Sequence, residues 1–430
     1  MGSTGYAAMP RTADGVVHLS ALDNAMRGST IVQVLGPLAL PGVEALRQAF
    51  LDLATLGPHT RIGARAEQGR WLHDPEWVRA EIENIVMRAP DHVGNGVGQW
   101  LSGHRIEGVA VQVAVSDDYL AAAFDHALFD AYVPLQVPLL LLDASARKRF
   151  TALPLAGRHP LLAALRHTYL WRPESRRALR TGVAAGQALN AMDRDISVTD
   201  SPSPAAPIPA FGGPVSFAYA HYDLATSKRI FSAGAEQKLT GAPMIAVLAA
   251  AALEAAGVPV HVRGNLLVDL RRYLPGKTVV MGNFSGVLPL AVAGPTSAPE
   301  VLSGFVRNAL SSGHPLANAA RRGLRRPRRG TFSPRDELVA PPTRARVSMS
   351  SLGVVRDYER LPWAADPGQR QVIQTVGTID VDTVGWICSR VGGCMHMTAS
   401  FRSDAFPAER IHRALALMGE DPAGLVGRRR

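Results

Sequence analysis

The chain has 430 residues, 47% of them hydrophobic and 19% charged, with a formal net charge of +10. That is enough apolar material for a large core, which excludes a globally disordered chain, and too much length for one small core, so two or more units are expected. Only four of the 46 basic residues are lysines (Lys148, Lys228, Lys238, Lys277); the arginine surplus is either a compositional bias or suits an anionic partner such as nucleic acid, a phosphate-bearing coenzyme or an acidic carrier protein. In chain order, residues 1–17 read as a tail, and IVQVLGPLAL (31–40) reads as a strand leaving the core. VEALRQAFLDLATL (43–56) has apolar residues at helical spacing, HTRIGARAEQGRWL (59–72) reads as strands, and VRAEIENIVMRA (78–89) reads as a second amphipathic helix. GVAVQVAV (108–115) and YLAAAF (119–124), joined by SDD, read as a hairpin. AYVPLQVPLLLLD (131–143) reads as a buried helix despite Pro134 and Pro138.

ISVTDSPSPAAPIPAFGGP (196–214) is rich in proline and serine and sits almost at mid-chain, so it reads as the connection between two halves. The expected division is a tail (1–17), a first subdomain (18–195), the connection (196–214) and a second subdomain (215–430). In the second half, KLTGAPMIAVLAAAALEAAG (238–257) reads as a helix with a glycine stop. Residues 258–274 and 279–292 read as strand-rich, and 299–312 as a helix. Strands are expected at 345–355, 371–381, 385–390 and 394–401, and a closing helix at 407–419. The arginine-rich 321–337 reads first as a turn-rich, solvated segment and second as a dock for an acidic carrier protein or coenzyme A phosphates.

Several function classes find no support. Two cysteines make no disulfide framework, and Cys388, Cys394 and His396 at C-x5-C-x-H match no tight zinc pattern, so no metal is expected. GNGVG (94–98) lacks the strand and Lys-Ser/Thr of a phosphate loop and reads as a flexible loop. No nucleic-acid motif accompanies the arginines, and no G-x-S-x-G elbow is present. The longest apolar run, VPLQVPLLLL (133–142), is too short to span a bilayer. With no secretory leader pattern, the protein reads as soluble and cytoplasmic.

The stretch that carries chemistry is AAAFDHALFDAYVP (121–134), where His126 and Asp130 stand four apart between a strand and a helix. H-x-x-x-D alone is weak, and a polar strand end with a locally bonded histidine explains it equally well. Its companions change its weight: HLSALDNAMR (18–27), VDLRRYLPG (268–276), MGNFSGVLPL (281–290), VSMSSLG (347–353) and MHMTASFRSDAFPAERIHRAL (395–415), in that order.

Together these segments resemble the HxxxD acyltransferase superfamily, which includes condensation domains, alcohol, wax-ester and polyketide-associated acyltransferases, and chloramphenicol acetyltransferase. The resemblance runs from about residue 18 to about 416. It implies an α/β (α+β) fold with mixed sheets, in which two chloramphenicol-acetyltransferase-like subdomains form a V with the active-site tunnel between them. It implies His126 as general base, with Asp130 and Arg271 as a structural ion pair. Ser348, Ser350, Asn283 and Asp125 become candidate oxyanion or substrate contacts; Ser351 lies in the same segment. The co-substrate would be an acyl thioester of coenzyme A or of an acidic acyl or peptidyl carrier protein, with no permanently bound cofactor, and the acceptor a small amine or alcohol. Natural-product assembly is the implied setting.

The sequence departs from the condensation-domain pattern twice. Asp125 stands where peptide-forming members have a second histidine, and Ala131 where glycine is usual. Both leave open a non-catalytic recruitment module on the same fold, or a cyclisation or dehydration in the same tunnel. Ala131 lacks glycine's freedom at positive φ, so a reshaped loop is expected there.

Overall fold

The hairpin expected between 108 and 124 forms through a tight turn at Asp117–Asp118, where Asp117 takes φ 43°. It belongs to a computed structural model that describes residues 15–157, 159–170, 206–210, 213–276, 278–294, 299–324, 338–377 and 380–427, with scattered positions between 174 and 191. Most of the tail, most of the Pro/Ser connection and the basic segment beyond Leu324 lie outside the described residues.

The first half supplies β1 (Val16–Val17), β2 (Thr30–Gly36), β3 (Ala64–Glu67), β4 (Arg70–His73), β5 (Val86–Arg88), β6 (Val111–Ser116) and β7 (Tyr119–Asp125). The second half supplies β8 (Ile208–Pro209), β9 (Val215–Tyr222), β10 (Arg263–Asp269), β11 (Ser285–Ala291), β12 (Leu338–Val339), β13 (Arg346–Val354), β14 (Gln371–Val376), β15 (Thr383–Val391) and β16 (Cys394–Arg402). Two large sheets result, one of five strands in the order β14-β2-β7-β6-β5 and one of six in the order β11-β10-β13-β15-β16-β9. Both are mixed: β5 runs parallel to β6, and β10, β13 and β15 run parallel to one another. The α/β architecture with mixed sheets is therefore as expected. β14, although it comes from the second half, is the edge strand of the first sheet, pairing with β2 from Gln371↔Gly36 to Val376↔Ile31.

The six-stranded sheet has two unlike faces, as the two-residue period of a strand dictates. Val347 and Met349, Leu266 and Val268, Val384 and Trp386, and Met395 and Met397 join one core with the helix Gly241–Ala255. That helix is apolar all round and buried from Met244 to Leu253, the mark of a core helix. The alternate residues point away from that core: Arg263 and Asn265, Arg346, Ser348 and Ser350, Ile387, His396, Thr398 and Ser400. β14 crosses this polar face, its Gln374 N donating to Thr398 Oγ1 and its Val376 N to Ser400 Oγ, both at 3.4 Å.

Two expectations are corrected. Residues 78–89 do not form one helix but divide into the helix Pro75–Ala80, one turn Ile82–Ile85, and β5. Glu81 leaves helical geometry (φ −101°, ψ 11°), and β-branched Val86 pairs with Val113 of β6. GNGVG is not a loose loop. Gly98 lies in the helix Val97–Gly103, and a Cβ there would meet Val34 Cγ2 at 2.5 Å, so the glycine lets helix and sheet approach closely.

Among the described residues no single helix is long and apolar enough to cross a membrane. One bent pair, Leu224–Glu236 with Gly241–Ala255, passes by length and composition, with a 99° break between its members.

Candidate functional site

β7 is lined by small residues, with Ala121, Ala122 and Ala123 fully buried, until the chain turns polar at Asp125. Beyond it a turn carries residues 126–131 into the helix Tyr132–Leu142. His126 sits at that exit, half-buried. Its Nδ1 lies 2.7 Å from Phe129 O. A carbonyl only accepts, so Nδ1 holds the proton and the lone pair of the neutral ring is on Nε2. Nε2 has no hydrogen-bond partner among the described residues and is not among the atoms sealed from solvent. Burial pushes the ring's pKa below the ordinary histidine value, against the pull of the Phe129 carbonyl, Asp130 and Asp125.

The turn is held from the second half of the chain. Arg271 NH1 reaches Asp130 Oδ2 at 2.8 Å and NH2 reaches Oδ1 at 3.0 Å, a bidentate pair with both side chains less than a tenth exposed. Phe284 N and Tyr132 N also donate to the carboxylate. Arg271 itself donates to Val280 O and Gly282 O and lies over the Tyr132 ring at 4.8 Å. Burial alone would lower its pKa, but Asp130 and Asp269 more than reverse that. The expected Asp130–Arg271 pair therefore exists as an ion pair bridging the two halves.

A second ion pair was not expected from the sequence. Asp23, 1% exposed, is bound by Arg61 through NH1–Oδ1 at 2.9 Å and NH2–Oδ2 at 3.1 Å. Arg61 NH1 also donates to Leu128 O at 2.9 Å. Asn283 Nδ2 donates to Asp23 Oδ1 at 3.1 Å and to His126 O at 2.7 Å. The carbonyls of His126, Leu128 and Phe129 are thus each engaged, which fixes the backbone that aims the imidazole. Arg61 has φ 63°, a left-handed conformation costing roughly 1–3 kcal/mol; its ties to Asp23 and Leu128 hold it there. Gly282 leaves room for it, since a Cβ at that position would meet Arg61 NH1 at 2.5 Å. One signal was in the sequence: Ser20-x-x-Asp23 forms a capping box that orients Asp23.

The other candidates fall in three places. Asn283, a candidate substrate contact that reads more simply as a turn residue, is buried in this scaffold, both its backbone N–H and Nδ2 spent on Asp23 and His126. Asp125 is half-buried, its Oδ1 accepts from Ala127 N at 2.8 Å, and burial raises its pKa against the pull of Arg105. Ser348 and Ser350 are half-buried on the polar face of the six-stranded sheet, and their hydroxyls have no partner among the described residues. Ala131 takes φ −60° and ψ −18°, a helical conformation alanine adopts without strain, so the loop is not reshaped for want of glycine.

Cys388 and His396 lie on opposite faces of the six-stranded sheet, Cys388 opposing core-facing Met397 and His396 opposing Ser389. No group of metal-ligating side chains occurs among the described residues. His396 is 1% exposed, with Nδ1 at 2.9 Å from Tyr219 Oη and its ring stacked on His221 at 4.9 Å. Its Nε2 is sealed without a partner, and burial pushes its pKa down to about 3, with His221 adding to the effect.

No family model matches the chain. No curated protein matches it either. Among solved structures it is similar to TRI3 trichothecene 15-O-acetyltransferase from Fusarium sporotrichioides, at 10% identity over 95% of each chain with a TM-score of 0.59. It is also similar to polyketide synthase associated protein 5 from Mycobacterium tuberculosis, at 16% identity over 96% of this chain and 99% of that one, with a TM-score of 0.54. The first condensation domain of the calcium-dependent antibiotic synthetase gives 13% identity, 94% and 91% coverage, and a TM-score of 0.53. The fold is that of condensation-domain, chloramphenicol-acetyltransferase-like acyltransferases, over nearly the whole chain; at these identities the likeness is one of fold.

Proposed function

We propose that the protein is a condensation-type acyltransferase that moves an acyl group from a phosphopantetheine-borne thioester, of coenzyme A or of an acidic carrier protein, to a small amine or alcohol in natural-product assembly. The reading is carried by His126, a neutral imidazole whose Nδ1 is committed to Phe129 O and whose Nε2 lone pair is open. The acceptor's N–H or O–H gives its proton to Nε2 as its lone pair attacks the thioester carbon. A C–N or C–O bond forms, the C–S bond breaks, and the imidazolium returns the proton to the departing thiolate. Positioned base catalysis of this kind contributes roughly 10²–10⁴-fold. Holding both reactants in a tunnel between the subdomains supplies more, and the Ser348 and Ser350 hydroxyls are the donors assigned to the oxyanion. Asp130 and Arg271 are positioning residues, since they hold the backbone of the base.

A lowered His126 pKa keeps the base unprotonated into mild acid. The acid limb of kcat/KM is therefore expected below the ~6.5 of free imidazole; a limb at or above that value contradicts the assignment. The rival, a non-catalytic recruitment module, rests on Asp125 and Ala131, and the unstrained Ala131 weakens it. The deciding experiment assays purified protein against a panel of acyl thioesters with amine and alcohol acceptors, comparing wild type with His126→Ala. Product mass separates the readings further: transfer adds an acyl group to the acceptor, whereas cyclisation or dehydration does not. Wild-type turnover equal to that of His126→Ala refutes the proposal.

A further inference from the structure

A cleft of about 350 Å³ lies between the single helical turn Ala21–Asn24 and the β1–β4 pair. Its floor is apolar: Val17 and Trp71 stand opposite each other in the β1–β4 register, both less than a tenth exposed, with Leu19 beside them. Its polar rim is exposed and basic, with His18, Arg27 and Arg70. Arg70 is set by the tight β3–β4 turn, in which Gln68 and Gly69 both take positive φ (47° and 77°). The nearby acids are already paired. Glu67, in register with Arg70, lies 3.3 Å from Arg65; Asp74 is on Arg65 at 2.9 Å, and Asp23 is on Arg61. No carboxylate lines the cleft, and the guanidinium groups of Arg27 and Arg70 have no ion pair or hydrogen bond among the described residues.

The cleft adjoins the turn that carries the base. Asn24 lies on its lining next to Asp23, and Arg61, bound to Asp23, reaches His18 O at 3.5 Å and Leu128 O at 2.9 Å. His126 N donates to Ser29 O at 3.0 Å. Arg27 stands two residues before Ser29, so the two Cα atoms are at most ~7 Å apart. The Arg27 charge also pulls on Asp125, the neighbour of the base. A small acid held at Arg27 is therefore bound close beside the turn of His126.

We infer that this cleft binds a carboxylate of the acyl acceptor, with Arg27 and Arg70 on its oxygens and the acceptor's apolar body on Val17, Leu19 and Trp71. The inference rests on the acyl-transfer reading for the acceptor's role and on the cleft alone for its chemistry. Guanidinium groups pair with carboxylate through charge-assisted hydrogen bonds. A volume near the lower end for small-molecule sites, with a few polar groups around an apolar floor, suits a small amphiphilic acid. The class is an amino or hydroxy acid with an apolar side chain, its amine or hydroxyl being the group acylated. An acceptor tethered to a carrier has its carboxyl carbon bonded to sulfur and offers no carboxylate, so the acceptor that fits this cleft is a free molecule.

Calorimetric titration at low salt tests this with L-phenylalanine and 3-phenyllactate, each against its primary amide, and with phosphopantetheine as a third kind of probe. Wild type is expected to bind each acid about tenfold or more tighter than its amide. Arg27→Ala and, separately, Arg70→Ala are expected to erase most of that preference, with part of it restored by lysine. Both side chains are exposed, so the variants are expected to fold. In transfer assays the same variants raise KM for the acid rather than lower kcat. Equal binding of acid and amide to wild type, no binding of either acid, wild-type preference in both arginine variants, or tighter binding of phosphopantetheine than of the acids overturns the inference. If arginine-dependent binding of the acids holds while His126→Ala transfers acyl groups as fast as wild type, the cleft stands and the catalytic reading fails. If transfer depends on His126 but amides serve as well as acids, the catalytic reading stands and the inference fails.

Discussion

His126 and His396 are two histidines whose pKa values burial moves in the same direction and whose neighbours differ. In both, burial pushes the pKa below the ordinary value. His126 gives Nδ1 to a carbonyl and keeps Nε2 open. His396 gives Nδ1 to Tyr219, stacks on His221, and has Nε2 shut in with nothing to bond. What separates the two rings is access to one lone pair: His126 is half-buried with Nε2 open, whereas His396 is 1% exposed with Nε2 sealed, although both pKa values move the same way.

That contrast is broken most directly by truncating each ring. His126→Ala is expected to cost roughly 10²–10⁴ in kcat/KM with little change in Tm, whereas His396→Leu leaves transfer intact. Equal losses in the two variants dissolve the distinction. The support beneath His126 comes next. Asp130→Ala strands the buried Arg271 and is expected to cost about 3–5 kcal/mol, read by urea denaturation. A drop confined to kcat, with stability unchanged, makes Asp130 a participant in the chemistry instead.

His396 has its own signature in pH. Its folded pKa, about 3, lies below that of the unfolded chain, near ~6.5. Above that upper value both states are neutral and stability is flat. Between the two, the unfolded state takes up a proton the folded state refuses, so stability falls as pH falls. The slope from this one residue is roughly 1.4 kcal/mol per pH unit. His396→Leu is expected to flatten the stability profile over that window; an unchanged profile shows that the ring is not buried neutral. The smallest expected effect is Gly282→Ala, which crowds the Arg61 guanidinium and is expected to cost about 1–3 kcal/mol by thermal unfolding, without raising KM.

Much of this was legible in the residues, and the omissions share a cause. The β6–β7 hairpin and the helix after it follow from local periodicity, and the Asp130–Arg271 pair from what the family resemblance implied. Asp23 and Arg61 escaped because neither sits in a periodic element: one is in a single helical turn, the other at a left-handed position that ends the short turn Pro58–Thr60 before β3. The helix pattern of 78–89 failed at Val86, where a partner strand decides the outcome. Ser348 and Ser350 were picked out by the family resemblance; alternation along the strand places them on a face but does not say what that face meets. The pairing of residues 208–209 with 338–339 is a contact across more than a hundred residues that no local pattern announces.

β14 carries a mechanical consequence. Because residues 371–376 complete a sheet whose other strands all precede residue 126, the lobes are interlaced rather than merely apposed. A chain severed in the proline-rich connection would yield an amino-terminal fragment missing a border strand and a carboxy-terminal fragment holding it without a mate. Neither piece is a finished body, and the two should reassemble only by trading that strand, so any movement of one lobe against the other must flex around it.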